Sequence, residues 1–158
     1  FMKTSNDNSH TSLGEKLNIL LASYQVTYNN IRSAHWMIKG ENFFELHKFF
    51  ETEYNDAALK ADEIAERVLT LGEKPIQLLS EMLQVSIVKE KEVGGDQSKC
   101  VSLLLHDFKL LGELENEIVK LADEESDVVT ADIMTGYLRA QQKRIWMLSQ
   151  FLSKRSEI

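Results

Sequence analysis

The chain has 158 residues, enough for one domain with a real core, and its 43% hydrophobic and 27% charged content is ordinary for a globular protein. A formal charge of −7 argues against a whole-protein electrostatic grip on nucleic acid, and neither end offers a basic arm: Lys3 stands near Asp7, and Lys154-Arg155 is offset by Glu157. No apolar run approaches the ~20 residues that span a bilayer, no signal-peptide core opens the chain, and a lone cysteine, Cys100, excludes an internal disulfide and fits a reducing cytoplasm.

One proline and seven glycines leave few places to break a helix, so an all-α fold is expected. Residues 1–11 read as a flexible polar tail in which His10 has no assigned role. Ser12-Leu13-Gly14-Glu15 has the form of a capping box. Beyond it Leu13, Leu17, Leu20, Tyr24, Tyr28 and Ile31 step by threes and fours, an amphipathic helix reaching about Ile38. Gly40 can take positive φ cheaply and is the natural stop.

Asn42, with Glu45 three residues later, restarts a helix. Leu46, Phe50, Tyr54, Ala57, Ala61, Ile64, Val68 and Leu71 carry it to Gly72 and Pro75. A weaker patch, Ser80 to Val88, suits a short helix inside a long connection, and Gly94-Gly95 punctuates the chain. A third long helix is expected from Gln97 to Ala122, with Leu104, Phe108, Leu111, Leu114, Ile118 and Leu121 inward. After the acidic turn Asp123-Glu124-Glu125-Ser126-Asp127 comes a fourth, with Met134, Leu138, Gln141, Ile145, Leu148 and Leu152 on its inner face. Four long helices and one crossover describe a ferritin-type bundle over residues 12–153, followed by a short tail, 154–158.

The stretch from His35 to His47 is the part that suggests chemistry. Two histidines flank the Gly40 turn, and two carboxylates, Asp62 and Glu66, follow four residues apart. Imidazole nitrogen with carboxylate oxygen suits iron(II), zinc or manganese. At 1.5 Å per residue His35 and His47 lie roughly 7 and 10 Å from the turn and can face each other. Asp62, however, lies about 22 Å beyond His47 along a continuous helix, far outside the roughly 2 Å of a metal–ligand bond. One chain therefore cannot close a site from all four, whereas a two-fold dimer pairing these helices antiparallel makes two identical sites. The competing reading has each histidine as a hydrogen-bonded core residue and Asp62 and Glu66 on a solvated face beside Lys60 and Arg67.

His35-Trp36-x-Ile38-x-Gly40, then Leu46-His47 and Glu51, resembles the signature of the Dps mini-ferritins, the DNA-protection-during-starvation family. Asp62-Glu63-Ile64-Ala65-Glu66-Arg67 with Leu71-Gly72 resembles its second signature. Asp127-Val128-Val129-Thr130-Ala131-Asp132 and Ile145-Trp146-Met147-Leu148 are similar to its last helix.

The resemblance covers residues 12–153 and implies a hollow shell of twelve subunits built from two-fold dimers. In such a shell iron(II) is oxidised at dimer-interface ferroxidase centres, two ions per centre with zinc or manganese as substitutes, preferentially by hydrogen peroxide, and ferric mineral is stored inside. It assigns His35 and His47 to one subunit and Asp62 and Glu66 to its neighbour, with Glu51 able to bind or bridge a second iron. Trp36 is then either a radical-quenching electron donor or an interface packing residue. Asp123, Asp127 and Asp132 are either a solvated turn with a helix cap or the lining of an acidic three-fold pore. Glu113, Glu115 and Glu117 face either solvent or the cavity. Arg144 stands where the family often has histidine and is expected in an interface ion pair. The intrasubunit Glu-x-x-His pair of ordinary ferritins is absent. Two rivals remain: a DNA-compacting nucleoid protein with little ferroxidase activity, and a purely structural bundle.

Overall fold

The computed structural model describes residues 11–153, so most of the expected N-terminal tail, His10 with it, and all of the C-terminal tail lie outside the described residues. Five helices follow in order: α1 Leu13–Met37, α2 Phe43–Thr70, α3 Leu79–Val85, α4 Gln97–Glu124 and α5 Val128–Leu152. α1 packs on α2 and α4 on α5 as two hairpins, α1 contacts α4 between them, and α3 lies against α1. This is the ferritin-type bundle the periodicity predicts. None of these helices is long and apolar enough to cross a membrane.

α1 begins where the sequence places its capping box. The Ser12 N–H donates to Glu15 Oε2 at 2.8 Å, and Glu15 N–H returns a bond to Ser12 Oγ at 3.2 Å. Leu17, Leu20, Ile31, Phe50, Ile64, Leu104, Leu111 and Ile118 are all fully buried. Each is worth about 1.5–3 kcal/mol of transfer free energy, so the core is this interior stripe.

Polar residues on α1 also hold the crossover. Asn18 Nδ2 donates to the Lys74 carbonyl while its Oδ1 accepts from Ile76 N–H. Ser23 Oγ accepts from Ile87 N–H, and Asn30 binds both the Lys89 carbonyl and the Lys91 N–H. These bonds satisfy backbone groups of a connection whose Val88 joins the core, with Ile76, Ile87 and Val93 packed against it.

One helix cap departs from expectation and another agrees with it. Asn42 occupies the N-cap of α2 but makes no side-chain cap; its amide donates instead to Gln97 Oε1 at 2.8 Å. Asp127 does cap α5, accepting from Thr130 N–H at 3.0 Å, and adds an ion pair to Arg67 on α2 at 2.8 Å. Partial burial pushes the Asp127 carboxyl up, but hydrogen bonds from Thr130 and Arg67 outweigh it and hold the group below its usual range. Asp127→Ala is expected to lower stability by about 1–2 kcal/mol through loss of the cap, read as a lower urea midpoint with an unchanged slope.

Candidate metal centre

Gly40 takes φ +113° in the turn between α1 and α2, a conformation that L side chains rarely adopt, and a Cβ there would collide with the Gln97 amide. Gly40→Ala is expected to destabilise the hairpin by at least about 1 kcal/mol, seen as a lower thermal midpoint.

The turn sets His35, in the last turn of α1, against His47, early in α2. At a helix end the last carbonyls lack intrahelical donors. Here Lys39 N–H, which would have bonded the His35 carbonyl in a longer helix, donates to the Gly95 carbonyl at 3.1 Å. The His35 carbonyl accepts from His47 Nδ1 at 2.9 Å instead, and His35 Nδ1 donates to the His47 carbonyl at 2.7 Å. Because a carbonyl only accepts, both Nδ1 atoms carry hydrogen, and in the neutral rings both Nε2 lone pairs are left for a ligand. The rings stack with centroids 3.7 Å apart and 18° between planes. Phe43 stacks on His47 at 5.0 Å and Tyr54 meets His35 edge-on at 5.3 Å. Both imidazoles are thus locked in tautomer and orientation, the arrangement that metal-binding histidines require.

Glu51, one turn beyond His47, is paired with Lys48 at 3.1 Å. The hydrogen bond and charge of Lys48 hold its carboxyl below the ordinary range, with smaller contributions from His35 and His47. Trp36 is 61% exposed, and its indole is covered by the Arg32 guanidinium at 4.8 Å. Arg32 also lies over the Tyr28 ring at 5.0 Å and donates to its hydroxyl at 3.0 Å.

Asp62 and Glu66 stand exposed on α2, apart from the histidines. Among the described residues no three His, Cys, Asp or Glu side chains converge within the chain. The expectation that Lys60 and Arg67 share a solvated face with these two acids needs correction. Lys60 is buried, reaching Asp56 at 3.0 Å, and Arg67 turns to Asp127. Among the described residues neither Asp62 nor Glu66 enters an ion pair. Leu59 and Leu69, exposed by 71% and 59%, stand three residues before Asp62 and three after Glu66. A 59-62-66-69 spacing is one helix face, so two exposed leucines bracket the two acids on it.

At the acidic turn Asp123 and Asp132 are exposed, whereas the Asp127 carboxylate is engaged by Arg67 and the α5 cap.

The largest feature that sequence reasoning missed is a buried polar layer at mid-bundle. The Tyr24 hydroxyl donates to Glu115, which is fully buried. The Lys60 ammonium lies over the Tyr24 and Tyr137 rings at 5.5 and 5.1 Å. Tyr137 donates to Glu63 at 2.6 Å. Arg144, expected at an interface, pairs inside the chain with Glu53 at 2.5 Å and Asp56 at 3.0 Å. The signal was present: Glu115 falls four residues after Leu111 and three before Ile118, on the inward stripe.

A ferritin-like domain model matches residues 14–158. The DNA protection during starvation protein of Porphyromonas gingivalis is 41% identical over 135 residues, 85% of this chain and 85% of that one. An uncharacterised Haemophilus influenzae protein is 43% identical over 135 residues, 85% of this chain and 84% of its own length. Among solved structures, the Dps protein of Vibrio cholerae O1 matches with a TM-score of 0.87 and 38% identity, covering 93% of this chain and 100% of that one. It is described as belonging to a broad superfamily of ferritin-like diiron-carboxylate proteins. Listeria monocytogenes Dps matches with a TM-score of 0.89 and 30% identity, covering 92% and 96%.

Proposed function

Since the chain belongs to the ferritin-like family, among the DNA-protection-during-starvation mini-ferritins, we propose that it oxidises iron(II) at centres shared between two subunits and stores the ferric product in a closed shell. Iron storage is its function at the level of the family. The shared centre, the oxidant and the shell of twelve are the finer reading.

The observation that carries it is the histidine pair: two oriented imidazoles at one end of the hairpin, with Nε2 atoms unclaimed, and two unpaired acids about 22 Å down α2. His35, His47 and Glu51 of one subunit, with Asp62 and Glu66 of its two-fold neighbour, form a donor set of imidazole nitrogen and carboxylate oxygen. That set fits iron(II) as substrate and also accepts zinc or manganese. The exposed Leu59 and Leu69 provide the apolar rim such an interface needs.

Hydrogen peroxide is the proposed oxidant. Its two-electron reduction by two iron(II) ions converts it to water without releasing hydroxyl radical. Trp36 packs at the interface in this reading, because the Arg32 cation over its ring disfavours removal of an electron. The entry pore rests on Asp123 and Asp132, with Asp127 holding α5 at its rim. A cytoplasmic location accords with one buried, unpaired Cys100.

The test is size together with chemistry. The native protein should elute as a species near twelve times 18.1 kDa and consume peroxide in step with iron(II) oxidation. A monomer, or an assembly whose kinetics are unchanged in a His35→Ala and Glu66→Ala double variant, overturns the reading.

The relatives' names speak of DNA protection, and DNA compaction is the alternative for this chain. With a charge of −7, little binding is expected in a gel shift containing EDTA. A shift that survives EDTA and weakens steeply with added salt would reverse that conclusion.

A further inference from the structure

The middle of the bundle carries more hydrogen-bonding capacity than its protein partners use. Glu115 on α4 is fully buried and accepts from the Tyr24 hydroxyl through Oε1, but its Oε2 has no partner. Gln141 on α5 is 1% exposed, and neither its Oε1 nor its Nε2 is bonded. The hydroxyl of Thr27, fully buried one turn beyond Tyr24 on α1, is unpartnered as well. Native interiors satisfy the large majority of such groups, and a run of exceptions in one layer calls for a missing partner.

Ring contact, hydrogen bonding and helix register place these groups at one level of the bundle. Tyr24 and Tyr137 meet edge to face at 6.1 Å, and Tyr24 holds Glu115. Gln141 follows Tyr137 by four residues and precedes Arg144 by three, on the buried side of α5. Both of those neighbours lie within electrostatic range of the Glu115 carboxyl. The amide is therefore bracketed by side chains that already surround Glu115.

Charge decides what can fill the space. A cation would meet Lys60 and Arg144, whose charges are already matched by Asp56 and Glu53. An anion would meet Glu115. The partner must donate to a carboxyl oxygen and to the Gln141 carbonyl, and accept from the Gln141 Nε2, while carrying no charge of its own. Water does all of this, and buried water typically makes about three such bonds. We infer that each subunit has an internal hydration site at mid-bundle, in which water bridges Glu115 Oε2 to the Gln141 amide.

The site is separate from the histidine pair and does not depend on the iron reading. Its consequence is chemical: the carboxyl of Glu115 has a small mobile donor and acceptor with which to exchange its proton, although no bulk solvent reaches it.

The test is a crystal structure of the intact assembly at a resolution that shows ordered water. Expected in the unmodified protein is a density peak about 2.7–3.2 Å from both Glu115 Oε2 and the Gln141 amide. The peak should vanish in Gln141→Leu, and the thermal midpoint should fall by several degrees because Glu115 Oε2 is stranded. An empty cavity, or a direct Glu115–Gln141 hydrogen bond with no intervening density, overturns the inference. So does a peak about 2.3–2.6 Å from several oxygens, the signature of a bound cation. Should Gln141→Leu fail to assemble, the map of the unmodified protein decides alone.

Discussion

Shells assembled from a one-to-one mixture of His35→Ala and Glu66→Ala chains should regain iron oxidation that neither variant shows by itself. In a shell of either variant alone, every shared centre lacks one ligand. Loss of groups that merely orient a ligand already costs about 10–100-fold in metal affinity or activity, so loss of a ligand should cost at least as much. In a mixed two-fold pair, one centre draws His35 from the Glu66→Ala chain and Glu66 from the His35→Ala chain, and is intact. The other centre lacks both. Random pairing makes half the pairs mixed, each with one good centre of two, so about a quarter of the unmodified activity returns. A site closed within one chain predicts no return at all. The measurement is the initial rate of peroxide-driven iron(II) oxidation after disassembly and co-assembly, with mixed pairs verified by mass. Verified mixing without recovered rate would sink the shared centre while leaving the fold untouched.

Glu115→Gln should stabilise the protein above neutral pH and leave it nearly unchanged in mild acid. Burial pushes the Glu115 carboxyl from an ordinary 4.5 up to about 7, against the opposing effects of the Tyr24 hydrogen bond and the Lys60 and Arg144 charges. A raised carboxyl pKa means that the folded state holds the proton more tightly than the unfolded chain does. Its stabilising contribution is complete below about pH 4.5 and is lost as pH rises through about 7. A difference of roughly 2.5 units corresponds to about 3 kcal/mol between the two limits. Glutamine keeps an acceptor for the Tyr24 hydroxyl and cannot ionise, so this loss disappears. Glu53 and Asp107 are also raised by burial, so the unmodified protein retains a slope from them in both versions. The comparison is therefore the difference between variant and unmodified urea unfolding at pH 5 and pH 8. Equal differences at the two pH values would show that Glu115 does not titrate in this window.

The backbone plan was legible because its signals are local. The capping box at Ser12, the Gly40 turn and the stop at Gly72 each follow from one or two residues, and the limits of the long helices fall within about two residues of expectation, while the short α3 ends three residues early. The separation of His47 from Asp62 was equally legible, since rise per residue is a constant of the helix. The interior charges were not. Lys60 and Arg144 have long stems that can lie along apolar surface with the charged head directed either way, and nothing in their spacing says which. Both turn inward because Asp56 and Glu53 are there to receive them. Asn42 was misread for a related reason. Its side chain is in place to cap α2, but Gln97, 55 residues away, takes it, and no local pattern foresees a competitor from the far end of the crossover.

That distant partner matters for how the protein comes together. The hairpin tip is stitched to the start of α4 by three bonds: Lys39 N–H to the Gly95 carbonyl, Asn42 to Gln97, and Gln97 Nε2 to the Lys39 carbonyl. Contacts that span so much chain form only after a large loop has closed. The diversion of Lys39 that frees the His35 carbonyl is one of them, so a nascent chain with α1 and α2 already coiled still lacks the imidazole clasp. The orientation of both imidazoles is thereby tied to closure of the crossover, 55 residues away along the chain.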